Sequence, residues 1–278
     1  MRKVKVLIVF LLAANVSTTF AQKKEKIKGD RNVMFIQSPI ENYHTLEIGE
    51  ELEVVLVQGQ MSMVEVEADR NLHEVINFVS VNGKLSVQTT KRITSKKELK
   101  IRIYHTALLT NIIAKEDTKI SSLGETDLQR LDITSSNSAE LYLTLKANEF
   151  KLTASQKTRA ELNITSQNSA FVLSDDAKVK ALINGGECKM DLYQDAKADI
   201  EGDVRRFTLR VDNTSTFEGE KFTAANASLI AEGRSDTRIN ASDGLSVEAS
   251  GSSRVYIYNT PRITLEKFQG EASLYKKN

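Results

Sequence analysis

The chain has 278 residues, with 38 basic against 37 acidic side chains, so no charge excess is available to hold nucleic acid or an anionic membrane. Its one cysteine, Cys188, cannot close an internal disulfide. The length suits one large or two small domains with a real core.

Residues 1–21 read as an export signal. Arg2, Lys3 and Lys5 precede the apolar run VLIVFLLAANV, which is too short to span a bilayer comfortably, and Thr19 and Ala21 supply small residues for a cut after Ala21. No cysteine lies near the cut, so a lipid anchor is not expected. Taking Arg2, Lys3 and Lys5 from 38 basic residues leaves 35 against 37 acidic ones, a mature net charge of −2. No later stretch is apolar enough to cross a membrane. The expected location is the periplasm, the cell surface or the medium.

Residues 22–30, QKKEKIKGD, read as a flexible charged segment. Residues 31–122 form a β-rich N-terminal part. LEIGEELEVVLVQG and MSMVEVEAD alternate as strands do. Asp69 is placed to cap a short helix with Leu72, Val75 and Ile76 facing inward. Asn82-Gly83 inside VNGKLSVQ predicts a tight hairpin, and ELKIRIYH is a further strand.

Residues 123–278 repeat one eleven-residue phrase. Copies start at Leu131, Leu152, Leu182, Leu209, Leu229, Val247 and Leu265. The first position is Leu or Val, and the third, ninth and eleventh are mostly apolar or small. The middle is polar, with Gly186, Asn213, Gly233 and Gly251 at or near its centre. Alternation on both sides of a polar centre predicts strand, tight corner, strand, with one face inward. Repeated, that unit stacks into an all-β parallel β-helix, in which each coil buries the face of its neighbour. The competing architecture is an antiparallel sandwich.

On these residues the chain resembles a known bacterial family, the auto-transporter adhesins with a head GIN domain, long carried as a domain of unknown function. The signal, LEVVLVQG, VEVEADRNLHEVI, VNGKLSV and LKIRIYHTALLTNI, and then the polar-cornered repeats, carry the resemblance over most of the mature chain. It implies a right-handed β-helix-like fold, with an N-terminal β-rich portion carrying one short helix, and an adhesive or interaction role without catalysis. SSNS, QKTR and GRSD stand here where the family's corners are richer in glycine.

The search for chemistry returns little. His73 opens HEVIN, but Asn77 stands where a zinc-protease helix needs its second histidine. His44 and His105 are the other two histidines; none of the three lies near Cys188 in sequence to suggest a nucleophile pair, and Cys188 reads as a small residue in a turn. There is no G-x-S-x-G, phosphate loop, dinucleotide fingerprint or Cys-x-x-Cys. The expectation is no enzyme, no cofactor and no nucleic-acid partner, with a surface glycan or an extracellular protein as the candidate partner. Two outward sets are the site candidates. Glu140, Glu161, Asp191 and Glu218 hold the tenth position of their copies and, stacked in register, would form an acidic row able to hold calcium or assist glycan cleavage. Tyr256 and Tyr258 flank the inward Ile257 and could stack on a sugar or anchor a protein. The alternatives to an adhesive scaffold are therefore a carbohydrate-binding or carbohydrate-cleaving β-helix and a purely structural envelope protein.

Overall fold

A strand of fifteen residues drawn out straight would reach about 50 Å, so the long alternating runs of this chain must bend to close a coil. The computed structural model describes residues 24–277, and the expected export signal lies outside them. Short strands come first: β1 (Lys26–Lys28), β2 (Val33–Pro39), β3 (Thr45–Ile48), β4 (Glu53–Gln58), β5 (Met63–Asp69), β6 (Ile76–Val81), β7 (Lys84–Thr89), β8 (Arg92–Ser95), β9 (Leu99–His105) and β10 (Asn111–Ala114). The long strands follow: β11 (Lys119–Ser135), β12 (Glu140–Ala154), β13 (Arg159–Leu173), β14 (Lys178–Leu192), β15 (Lys197–Val211), β16 (Thr216–Ala231) and β17 (Asp236–Ala249). The chain closes with β18 (Arg254–Tyr258), β19 (Arg262–Phe268) and β20 (Ser273–Lys276).

Each long strand pairs in parallel with the next over nearly its whole length, as from Glu140↔Arg159 to Ala154↔Leu173. Along β13, exposed and buried residues alternate up to Ser166, then Gln167 and Asn168 are both exposed, and alternation resumes at Ser169. That slip in parity turns the strand while keeping one face inward. The strands are joined by four-residue corners whose second residue has positive φ: Glu116, Asn137, Gln156, Asp175, Gln194 and Asn213, then Gly233, Gly251 and Gly270. From Asn137 to Asn213 the step is 19 residues per coil.

The corners bond coil to coil. The Asn137 N–H donates to Gln156 Oε1 at 2.6 Å, Gln156 N–H to Asp175 Oδ2 at 2.9 Å, Asp175 N–H to Gln194 Oε1 at 2.8 Å and Gln194 N–H to Asn213 Oδ1 at 3.0 Å. Amide and carboxylate side chains tolerate the left-handed conformation and offer an acceptor, which explains corners without glycine. From Gly233 onward a Cβ would strike the corner above, 2.8 Å from the Asn213 carbonyl oxygen, and only glycine fits.

The interior is packed by compensation between rows. Phe150 stacks over the smaller Ser169 and Cys188 in one row, and in the next row Phe171 fills the space beside them, its ring 5.6 Å from Phe150. Phe207 then meets Phe217 at 5.4 Å and Phe222 edge-on at 5.0 Å. Leu152 and Leu229, first positions of two copies of the phrase, are completely or almost completely buried.

Several expectations are corrected in detail. LINGGECKMDL is not a corner copy: it lies within β14, and Leu182 is 41 % exposed. The interval from Leu152 to Leu209 instead holds corners at Asp175 and Gln194. Cys188 is therefore a buried strand residue, not a turn residue. The short helix is a 3₁₀ turn, Arg70–Val75, with Leu72 and Val75 buried, but Asp69 does not cap it. Its carboxylate instead accepts the backbone N–H groups of Arg31, Lys97 and Glu98. The Asn82-Gly83 hairpin forms as read, both residues at positive φ.

The coils also begin earlier than the repeat suggests. β3 stacks on β10 and β4 on β11, followed by β7 on β3 and β9 on β4, all parallel. Antiparallel strands then end the stack, β6 on β7, β5 on β9 and β2 on β5. The boundary at 122/123 falls inside β11, and within 22–30 the segment Lys26–Lys28 pairs with β8. At the other end β19 and β20 form the last rung, on β17 and β18.

Candidate functional site

The stack turns outward side chains into rows, and the register decides which candidates meet. Glu140 stands beside Arg159, with Oε1 3.5 Å from Nη1, and its Oε2 accepts the Tyr142 hydroxyl at 3.1 Å. Glu161 and Glu218 belong to the next row but are separated by Lys180 and Asp199. Asp191 lies on another stretch of the coil, between Val172 and Arg210, with Lys189 Nζ at 3.4 Å. The four carboxylates do not form one acidic face. Among the described residues no group of three or more His, Cys, Asp or Glu is placed to hold a metal ion.

Opposite charges on adjacent coils explain the arrangement. Glu187 pairs with Arg206, Glu201 with Lys221, Glu218 with Arg238 and Asp236 with Arg254. Each such pair is worth about 0–1 kcal/mol at the surface, and the like-charge neighbours Asp199 and Glu218, and Lys178 and Lys197, show that the alternation is incomplete. Burial raises the Glu218 carboxyl, opposed by Arg238 and assisted by Asp236 and Asp199. Glu218 shares a groove of about 320 Å³ with Asp199, Glu201, Glu220 and Lys221.

The row of Glu218 continues through Arg238 into the aromatic residues Tyr256 and Tyr275. The rings of Tyr256 and Tyr275 stack 5.0 Å apart at 18°. The Arg238 guanidinium lies 5.1 Å from the Tyr256 ring centre and Lys277 Nζ lies 5.2 Å from it. Among the described residues Tyr275 sits on the last rung, is 44 % exposed and stacks on no ring but that of Tyr256. Tyr256 is thus the support of a platform whose free face belongs to Tyr275. Tyr258 does not join it; it pairs in register with Asn240, and partial burial followed by Glu220 raises its hydroxyl pKa. Sequence reading missed Tyr275 because of a bulge between Leu265 and Lys267, opposite Val247 and Glu248, which moves the last copy on by one residue and makes an outward position look inward.

A second concavity, about 480 Å³, lies at the other end between β8 and the corner before β4. Leu52, Ile93 and Leu99 supply its apolar lining, and four of its charges meet in pairs, Lys24 with Glu50 and Arg92 with Glu51, beside Lys96 and Glu116.

Comparison with known proteins follows the same lines. The sequence profile described as "putative auto-transporter adhesin, head GIN domain" matches residues 42–182 and 157–261. No curated protein matches the chain. Among solved structures, a putative adhesin from Parabacteroides distasonis superposes with a TM-score of 0.67 at 12 % identity, covering 90 % of this chain and 100 % of the other. A putative adhesin from Parabacteroides merdae gives 0.61 at 13 % identity, covering 91 % and 100 %. A protein from Parabacteroides distasonis described as a putative lipid binding protein gives 0.54 at 14 % identity, covering 91 % and 97 %. At such identities these likenesses establish the fold. Among the described residues no helix is long and apolar enough to cross a membrane.

Proposed function

The chain belongs to the head GIN domain family, and from that premise we propose that it is an exported, non-catalytic adhesion module whose recognition surface is the outward face of its last coils. The carrying observation is the stacked pair Tyr256 and Tyr275, with Tyr275 exposed at the rim of the solenoid. An aromatic face takes the C–H side of one sugar ring, and the carboxylates of the groove containing Glu218 and Glu220, three rungs or about 14 Å back along the row, accept hydroxyls of a further unit of the same oligosaccharide. The ligand class that fits both is a neutral or amino-bearing surface glycan.

The test is a glycan array probed with the mature protein, the Tyr275→Ala variant and the Tyr256→Ala variant, with calcium and with chelator. The expected result is chelator-insensitive binding that weakens at least about tenfold in both variants, equal to about 1.4 kcal/mol. Binding unchanged in both variants would remove the aromatic platform from the function. Binding abolished by chelator and by Glu218→Gln alone would transfer the role to a cation site.

A further inference from the structure

We propose that β2 is a self-association edge, through which two copies of this chain pair β2 against β2 in antiparallel fashion about a two-fold axis at Phe35. Among the described residues β2 is paired on one side, with β5. Ile40 N–H donates to Ser62 and Arg70 N–H donates to Asn32 on that same side. Backbone direction alternates along a strand, so the even-numbered residues face β5, and Val33, Phe35 and Gln37 turn their N–H and C=O groups outward. Pro39, which has no N–H, ends the row.

The side chains make this edge unusual. Val33, Met34, Phe35 and Ile36 are all exposed, Phe35 by 54 %, so β2 is bare on both faces. No charged residue lies between Val33 and Pro39. By contrast, β19 carries Arg262, Glu266 and Lys267 and β20 carries Lys276, the kind of charge that blunts a free edge. β6, also uncharged, buries Ile76 and packs Phe78 against the core. Of the acids opposite β2, Glu65 and Glu67 are already matched by Arg102 and Lys100 on β9, and Asp69, opposite Val33, is held by the backbone N–H groups of Arg31, Lys97 and Glu98.

A second copy fits this edge because β2 is complementary to itself. Centring the pair on Phe35 sets Phe35 against Phe35, Met34 against Ile36 and Val33 against Gln37, with no charge facing another. All three outward-pointing residues then find hydrogen-bonding partners, and the sheet runs continuously from β5 of one copy to β5 of the other. One strand's edge buries less than the roughly 1,200 Å² of a standard interface, so the dimer is weak and concentration-dependent. It leaves the Tyr275 faces free at the far ends of the two solenoids. The proposal stands independently of what those faces bind.

Sedimentation of the mature chain from about 1 μM to about 500 μM should show reversible dimer formation, as expected of a small interface. Phe35→Lys should stay monomeric with an unchanged melting temperature, because it sets two lysines together on the axis. Phe35→Cys should form a disulfide dimer under mild oxidation, since hydrogen-bonded antiparallel residues lie about 5.5 Å apart between Cα atoms, within disulfide range. Cys188 is buried and does not compete. Val79→Cys and Leu265→Cys test β6 and the other end of the stack. A monomer throughout the range, or cross-linking at Val79 or Leu265 equal to that at Phe35, would overturn the proposal.

Discussion

Replacing Gly233 by alanine should damage the stack far more than the same change at Gly124, although both glycines are left-handed. Gly233 has φ +68 and Gly124 has φ +82. A left-handed alanine costs about 1–2 kcal/mol at either site. At Gly124 an added Cβ meets nothing within 4 Å, so the cost ends there. At Gly233 it would lie 2.8–2.9 Å from the Asn213 carbonyl oxygen, Cα and N, all backbone atoms of the coil above. Relieving that contact must open the corner, where Arg234 N–H donates to the Asn213 carbonyl at 2.7 Å, and overpacking of this kind costs about a further 1–3 kcal/mol. For a domain of this size each kcal/mol lowers the melting temperature by about 2–4 °C, so Gly233→Ala should fall by about 4–20 °C and Gly124→Ala by about 2–8 °C. Circular dichroism melts of the two variants side by side measure the difference. Equal losses would mean that the coils are not held in the close contact on which the fold depends.

Leu152→Asp sets a carboxylate in a fully buried row, at a cost on the order of 3–5 kcal/mol; limited proteolysis should cut first in the neighbouring coils, and resistance equal to wild type would contradict the inward placement. His105 is 1 % exposed; burial lowers its pKa, opposed by its bond to the Thr106 carbonyl, and its Nε2 has no partner. The unfolded ring therefore takes up a proton first as pH falls, so stability is lost below about pH 6.5, by up to about 1.4 kcal/mol per unit until the folded ring titrates. Denaturation at pH 7.5 and 5.5 should show His105→Leu losing about 1 kcal/mol less than wild type, and equal losses would refute the assignment. Burial pushes the Cys188 thiol up to about 12, so thiol reagents should label it only at the rate of unfolding; rapid labelling of the native protein would place it at the surface.

The inward alternation was legible because it is local: Leu152 and Ala154, then Ala160 and Leu162, show their parity within one phrase. The 19-residue step was not. The coils with corners at Asp175 and Gln194 open on Phe171 and Met190, where the recognised copies open on Leu or Val, so SDDA and YQDA did not stand out, while Gly185 and Gly186 drew a corner into the middle of β14. Gly185 is needed for another reason, since a Cβ there would lie 1.7 Å from the Ser166 carbonyl oxygen of the neighbouring coil. The outward rows were less legible still. They depend on register between strands, so the four acidic tenth positions share a phrase position without all joining one row, and one bulge hid the pairing of Tyr275 with Tyr256. The exposed apolar β2 left no periodic trace, because among the described residues its side chains are exposed on both faces.

Excising one coil tests the central claim most directly. Removing residues 175–193 joins one corner to the equivalent position of the next, one coil of 19 residues later. The account predicts a protein that keeps its β-sheet circular dichroism and melts cooperatively, whereas removing only 175–184, about half a coil, joins a corner to the middle of β14, leaves an incomplete rung and unfolds the chain beyond the join. Two deletions that behave alike would contradict a solenoid built from 19-residue coils.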